Sequence, residues 1–518
     1  MLHLGLLTCL HILSFFTSCL CVIDDLWKEL PWETIKLALK DRHHGSKIII
    51  TTRSKAVAEH VGGDIYELKP LSTLDSRELF YKRTFESVDD CPADLSQVTE
   101  KLLRKCGGVP LAIITTASLL ASKPRYSVEW EKVYNSIGSG FENNPDVDKM
   151  NMILSLSYND LPFHLKTCLL SLSKYPEDHV IRKDVLIWSW IAEGFITPAG
   201  TTLQETGEGY FIELINRSLI QPVKQKTFDP LGEREVYACQ LHDMVLDLIT
   251  KLSVEEGFVT TSFSDGEQAG ASLLHQSQRD VIRRLSLHKS SNTNASINEN
   301  KELSKVRSLD VFGHAGLMPA LSRFRVVRVL QLDDCSHLDK NHLKDLSHLY
   351  LLKFLRLHGL SDNELLESIS KLESFETLDI RGCTKVIKLP LSFGKLYKLV
   401  RLLAERLELP DGVVLENMKS LLELVGILPT LHSMTEIGKL RDLKILELVI
   451  EEDSDGSTDN SNKLINTYLQ MDPSLLQVLV LRTQWSWISF AGFRCTVSFW
   501  SPDIHVLWFL LSSIPEVD

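Results

Sequence analysis

The residues best placed to do chemistry lie near the start of the chain. Cys21-Val22-Ile23-Asp24-Asp25-Leu26-Trp27 is an apolar run that ends in two adjacent carboxylates. A carboxylate at the end of a buried strand can hold the Mg²⁺ that rides on nucleotide phosphates, which makes Asp24 the candidate metal ligand with Asp25 beside it. Lys47-Ile48-Ile49-Ile50-Thr51-Thr52-Arg53 is a second β-branched run, closing on a cation. Ligands of open α/β sheets gather at the carboxyl ends of strands, so Arg53 is placed to meet an anion. Gly107-Gly108-Val109-Pro110-Leu111-Ala112 stops one helix and opens another, with Pro110 in a first turn where its missing N–H does no harm. His242-Asp243 opens a helix whose Leu241, Val245 and Leu248 have core spacing.

These residues need elements to position them. The two β-branched runs, the helix expected between them, a helix over 54–61 and a further strand expected at Ile65-Tyr66-Glu67-Leu68 give a βαβαβ alternation. Helices are expected over 75–85 and 95–106, and another from Pro110. From 150 to 252 the pattern is helical (167–172, 184–193, 203–216), with two strands, 219–223 and 234–240, around a loop. Helices followed by a two-stranded wing indicate a winged-helix domain. Residues 253–280 are polar and aperiodic and read as a linker. From 281 the spacing L-x-x-L-x-L-x-x-N/C is met by Val327, Leu330, Leu332 and Cys335. It recurs around Leu355 and Leu378, and in weaker copies at Leu402, Leu424, Leu446 and Leu479. Steps of roughly 22 to 25 residues fit a leucine-rich repeat, whose single units cannot bury their leucines and must stack. Glu451–Asn462 reads as an inserted acidic loop. Past Thr483 the pattern stops, and no cap is recognisable in the aromatic tail.

At 518 residues, 44% hydrophobic and 24% charged, the chain can fill several cores. A net charge of −12 argues against nonspecific contact with nucleic acid or an anionic membrane surface. Ten cysteines without a C-x-x-C pair read as reduced, mostly buried thiols of a cytoplasmic protein. Residues 1–23 contain no Lys, Arg, Asp or Glu; we read residues 1–18 as a segment foreign to the rest of the chain rather than as a signal or a membrane helix. The phosphate-cradling G-x-x-x-x-G-K-[ST] occurs nowhere in the sequence.

Taken in order, these motifs resemble the NB-ARC module and repeats of plant nucleotide-binding leucine-rich-repeat disease resistance proteins, coiled-coil subclass. Val22–Trp27 resembles that family's kinase-2 motif, Gly45–Arg53 the motif whose arginine senses the terminal phosphate, and Gly107–Ala112 the GLPLA motif. Cys168, Tyr175–Asp178 and Trp190–Ile196 resemble its winged-helix stretch, and Leu241-His242-Asp243 its MHD motif. The resemblance implies ADP or ATP with Mg²⁺ as cofactors, held by Asp24, Asp25, Arg53, Pro110, Leu111 and His242, with Asp24 on the metal and no catalytic residue. It implies a switch rather than an enzyme, in defence against pathogens. A pathogen effector or a guarded host protein would be met through the repeats, and self-association is a further mode; neither nucleic acid nor membrane is a partner.

The expected fold class is α/β and α+β multidomain. Its parts are a non-family apolar segment (1–18), a partial P-loop NTPase-like nucleotide-binding domain (19–70), a helical ARC1 domain (71–145), a winged-helix ARC2 domain (146–252), a linker (253–280), a leucine-rich-repeat solenoid (281–483) and an atypical tail (484–518). Measured against the family, the coiled coil and the phosphate loop have no counterpart, which reads as an N-terminally truncated member and leaves nucleotide binding in question. The alternatives are a nucleotide-independent repeat protein acting as decoy or adaptor, and a secreted or membrane-tethered repeat receptor.

Overall fold

In the computed structural model two short parallel strands, β1 (Leu20–Ile23) and β2 (Lys47–Ile50), pair in register from Leu20↔Lys47 to Ile23↔Ile50. The structure describes residues 20–24, 26, 28–38, 47–52, 54–85, 92–136, 146–198, 200–223, 238–263, 281–288, 302–336, 338–360, 367–383, 385–450, 478–483, 496–501 and 504–510. The chain divides into two compact units, Met1–Ser72 and Thr73–Asp518, and each is described by itself.

In the first unit, helices α1 (Glu29–Ala38) and α2 (Lys55–Val61) cover one face of the strand pair. Trp32 and Ile35 from α1 and Val57 from α2 are buried with Leu26 against Cys21, Ile23 and Ile50. The opposite face exposes Leu20, Val22 and Ile49, although parallel sheets usually bury both faces. The expected strand at Ile65–Leu68 does not form. Ile65, Tyr66 and Leu68 are exposed, and among the described residues no strand lies beside them to satisfy their backbone.

The second unit begins with helices α3 (Thr73–Thr84), α4 (Ala93–Cys106), α5 (Pro110–Ala121) and α6 (Ser127–Ser136). α4 ends because Gly107 adopts φ 61, the left-handed conformation that glycine enters without a Cβ penalty. Phe80 and Phe85 pack on Trp130 at 6.0 and 6.1 Å between ring centres. Helices α7 (Asp146–Asn159), α8 (Phe163–Leu170), α9 (Lys183–Glu193), α10 (Leu203–Asn216) and α11 (Asp243–Glu255) follow. With them comes an antiparallel sheet ordered β3-β5-β4, of β3 (Ile181–Arg182), β4 (Gln221–Val223) and β5 (Ala238–Gln240). This is a winged helix with one strand more than expected, since two residues are too short for a period-2 pattern to show. Arg83 ties it to the preceding helices, donating to the Ser118 and Ser218 hydroxyls and the Asn216 carbonyl, each at 2.9 Å.

The remaining described strands form one sheet of thirteen. It runs in parallel through β6 (Thr260–Phe263), β7 (Arg284–His288), β8 (Ser308–His314), β9 (Val329–Ser336), β10 (Phe354–Leu357), β11 (Thr377–Ile380), β13 (Arg401–Glu408), β14 (Glu423–Ile427), β15 (Ile445–Ile450) and β16 (Val478–Thr483), with β12 (Ile387–Lys388) beside β13. Leu330, Leu355, Leu378, Leu402, Leu424, Leu446 and Leu479 stand opposite one another rung by rung. The ladder also continues upstream to Leu309 and Leu285.

Two expected boundaries change. The linker from 253 is instead the end of α11 followed by β6, which pairs in parallel with β7; residues 264–280 lie outside the described ones. The tail is not outside the sheet either, because β18 (Ile504–Leu510) pairs antiparallel with both β16 and β17 (Thr496–Ser501). Pairing needs only a backbone edge, so it proceeds where the leucine spacing has stopped. Residues 1–18 and the loop 451–462 lie outside the described residues.

Candidate functional site

In the first unit, the parallel pairing of β1 and β2 brings Asp24 beside Thr51. The Thr51 hydroxyl donates to Asp24 Oδ1, the Thr51 N–H donates to the Ile23 carbonyl (3.0 Å), and the Leu26 N–H donates to the Thr51 carbonyl (2.9 Å). Asp24 is solvent-facing. Asp25 and Arg53 lie outside the described residues. In the second unit Pro110 is the first residue of α5, exposed, and Leu111 beside it is half-buried. His242 is the N-cap of α11, its Nδ1 accepting from the Met244 N–H at 3.3 Å. The cap is thus His242 itself, with Asp243 the first helical residue. α5 and α11 both pack on α7. The sequence holds no G-x-x-x-x-G-K-[ST], whose backbone amides would cradle the phosphates.

A second constellation, which the sequence did not disclose, joins the winged helix to the repeats. The inward positions between the leucines of β8 to β11 are Asp310, Gln331, Arg356 and Asp379, aligned across the sheet. In an open solenoid such residues face solvent; here all four are buried. The winged helix covers them. Lys174, in the 3₁₀ turn after α8, places Nζ 2.8 Å from Asp310 Oδ1, while its carbonyl accepts from the Ser286 hydroxyl at 2.6 Å. Asp184, in the first turn of α9, reaches Arg381 at 2.7 Å and Arg401 at 3.4 Å. Arg401 also lies over the Trp188 ring (4.9 Å) and pairs with Glu423 (2.7 Å). Asp379 accepts from Arg356 and Arg381, each at 2.6 Å. Glu193, at the end of α9, meets Arg284, which lies 4.1 Å from the Phe258 ring centre.

The charges hold one another in place. Burial alone would lower the Lys174 ammonium, but Asp310 and, less strongly, Tyr175 and Glu193 keep it above its ordinary range. Burial would raise Asp184, yet Arg381, Arg182 and Arg401 hold it well below the usual carboxylate range. Asp379 is likewise depressed, with Arg381 and Arg356 overcoming burial. Burial pushes Tyr175 up to about 12. His179 and His288 are lowered by burial, against the pull of nearby Asp333 and Asp310 respectively, whereas the Asp334 contact raises His358. A buried network of this kind adds little net stability over an apolar one, but removing one member leaves a stranded charge.

The comparisons with known proteins follow the same order along the chain. The NB-ARC domain family matches residues 10–90, the disease resistance protein winged-helix domain 175–249, and the leucine-rich-repeat region 305–515. The first match begins inside the apolar segment and the last runs through the aromatic tail. The chain is 34% identical over 440 residues to disease resistance protein RGA5 of Oryza sativa subsp. japonica, covering 82% of this chain and 38% of that protein. Against disease resistance protein Pik-2 of the same plant it is 34% identical over 415 residues, 78% and 39% of the two chains. Against RPP13 of Arabidopsis thaliana it is 32% identical over 366 residues, 69% and 41%. The chain spans about two fifths of the length of these relatives. A solved leucine-rich-repeat protein of Leptospira interrogans aligns with a TM-score of 0.28 at 18% identity, over 36% of this chain and 55% of that one.

The fold and its order of segments define a protein with NB-ARC, winged-helix and leucine-rich-repeat segments. The chain belongs with the plant disease resistance proteins of the NB-ARC class.

Proposed function

We propose that this chain serves a plant innate immune receptor, as an intracellular switch and sensor rather than an enzyme. The observation that carries this reading is the seam of buried ion pairs between the winged helix and the inward face of the repeats. A two-state receptor needs an element with two arrangements whose balance a ligand can bias. Here a pathogen effector or guarded host protein that engages the inward face at Asp310, Arg356 or Asp379 competes directly with Lys174 and Asp184. In that reading ADP or ATP acts through Asp24, Asp25, Arg53, Pro110, Leu111 and His242.

One sequence observation favours a second reading, a nucleotide-independent decoy or adaptor. The chain has no G-x-x-x-x-G-K-[ST], so the 518-residue polypeptide should bind ADP more weakly than micromolar. Calorimetry with ADP and Mg²⁺ separates the two, since micromolar binding, about −8 kcal/mol, removes the adaptor reading. The immune role is tested by inactivating the gene in its plant and challenging with a pathogen panel. Altered resistance to at least one pathogen is expected; unchanged resistance to all of them contradicts it. Among the described residues no helix is long and apolar enough to cross a membrane.

A further inference from the structure

Between the winged helix and the repeats lies a cavity of about 250 Å³, lined by Tyr175, His179, Gln331, Asp333, Asp334 and His358 among others. Asp333 and Asp334 end the straight part of β9, and His358 follows β10 directly, so parallel pairing brings the three together. Their donor atoms all lie within 4.8 Å of one another. His358 Nδ1 is 2.9 Å from Asp334 Oδ1, and across the seam His179 Nε2 is 3.8 Å from Asp333 Oδ2. The His358 ring is seated over Gly382, where a Cβ would come within 1.9 Å of its Cδ2; glycine there makes the room.

We propose that Asp333, Asp334 and His358, with His179 as a fourth donor from the winged helix, bind a divalent transition-metal cation of the Zn²⁺ type. Two imidazole nitrogens and two carboxylate oxygens form a donor set that Zn²⁺ accepts, whereas Mg²⁺ and Ca²⁺ prefer oxygen alone. Zinc bonds of about 2.0–2.1 Å set donors roughly 3.3 Å apart in a tetrahedron, so Asp333, Asp334 and His358 need only a modest contraction, with His179 closing in from its place beside Asp333. Asp333 is already oriented, taking the Gln331 amide on Oδ2 (2.9 Å) and Arg356 on Oδ1 (3.2 Å), which leaves carboxylate lone pairs for a metal.

An independent observation points into the same cavity. Gln331 is fully buried, and its Oε1 has no hydrogen-bond partner among the described residues. Buried polar atoms are seldom left so unless a ligand meets them, and water on a bound cation would donate to Gln331 Oε1. The cation would bridge the winged helix and the repeats, adding to the ion-pair seam without involving any nucleotide.

The test uses the full chain, stripped with EDTA and exchanged into chelator-free buffer, then titrated with ZnCl₂. Bound zinc and the thermal midpoint are measured in wild type, Asp334→Asn and His358→Gln. Asp334 has a 69% exposed side chain and φ 51, a conformation asparagine adopts readily, so that variant keeps the fold even should His358→Gln fail to. We expect Asp334→Asn to retain the wild-type midpoint without zinc. It should hold one zinc fewer per chain and lose the zinc-induced rise. Equal zinc content and an equal rise in wild type and Asp334→Asn would overturn the site, assigning uptake to other imidazoles and thiols.

Discussion

Replacing Lys174 with methionine removes the cation from a carboxylate that is only 1% exposed. The Asp310 carboxylate keeps the Ser308 hydroxyl at 2.7 Å but loses its charge partner at 2.8 Å, and the apolar stem of residue 174 still fills its place. Stranding one member of a buried pair costs about 3–5 kcal/mol, whereas replacing both with apolar groups is close to neutral. Lys174→Met should therefore open the seam, and Lys174→Met with Asp310→Leu should largely close it again. The readout is hydrogen exchange of the amides of α9, which the seam holds against the repeats. At 1.36 kcal/mol per decade, the single variant should exchange about two to nearly four orders of magnitude faster, up to the limit set by global unfolding. The double variant should return most of the way to wild type. Single-variant rates within about threefold of wild type, or a double variant as fast as the single, would refute the reasoning.

Leu355→Asp places an unpaired charge at a fully buried rung of the ladder, and cooperative melting of the repeats should be lost; a wild-type-like melt would count against the solenoid core. The seam should also loosen in mild acid. His179 and His288 have folded values below their unfolded ones, so the unfolded chain binds more protons and their contribution falls as pH drops below about 6.5. His358, raised by Asp334, works in the opposite sense and partly offsets them. Protection of the α9 amides, each rate divided by the unstructured rate at the same pH, should fall between pH 7.5 and 5.5, and His288→Gln should flatten that dependence; an equally steep profile in the variant contradicts it. The buried thiols Cys106 and Cys239, pushed up to about 11 and about 12 by burial, should resist iodoacetamide at pH 7.5 in the folded chain. Rapid alkylation of either before unfolding would contradict that burial.

The repeats are legible because a solenoid writes the same core position once per rung, so Leu330, Leu355 and Leu378 declare themselves without a partner sequence. The break at Gly107 and the restart at Pro110 are legible for a local reason, backbone geometry that those residue types favour. Ile65–Leu68 misleads because an apolar run specifies a strand only where another edge lies beside it. The seam is hidden by distance along the chain, since Lys174 and Asp310 are 136 residues apart and Asp184 and Arg381 are 197 apart. A charge between two repeat leucines ordinarily means a solvated inward face. What points the other way is the alternation of Asp310, Gln331, Arg356 and Asp379, which only the arrival of α9 makes meaningful.

Carboxyl labelling of the native chain with a carbodiimide and glycine ethyl ester, read by mass spectrometry, asks whether the winged helix sits on the inward face of the repeats. Asp411 and Asp442 are exposed on the same array and set the rate of free carboxylates. Asp310 and Asp379 should stay unlabelled while those two react, and should begin to react in Asp184→Lys, which places a cation against Arg381 and Arg401. Labelling of Asp310 and Asp379 in wild type as fast as Asp411 and Asp442 would mean that the inward face is open and that no seam holds the two domains.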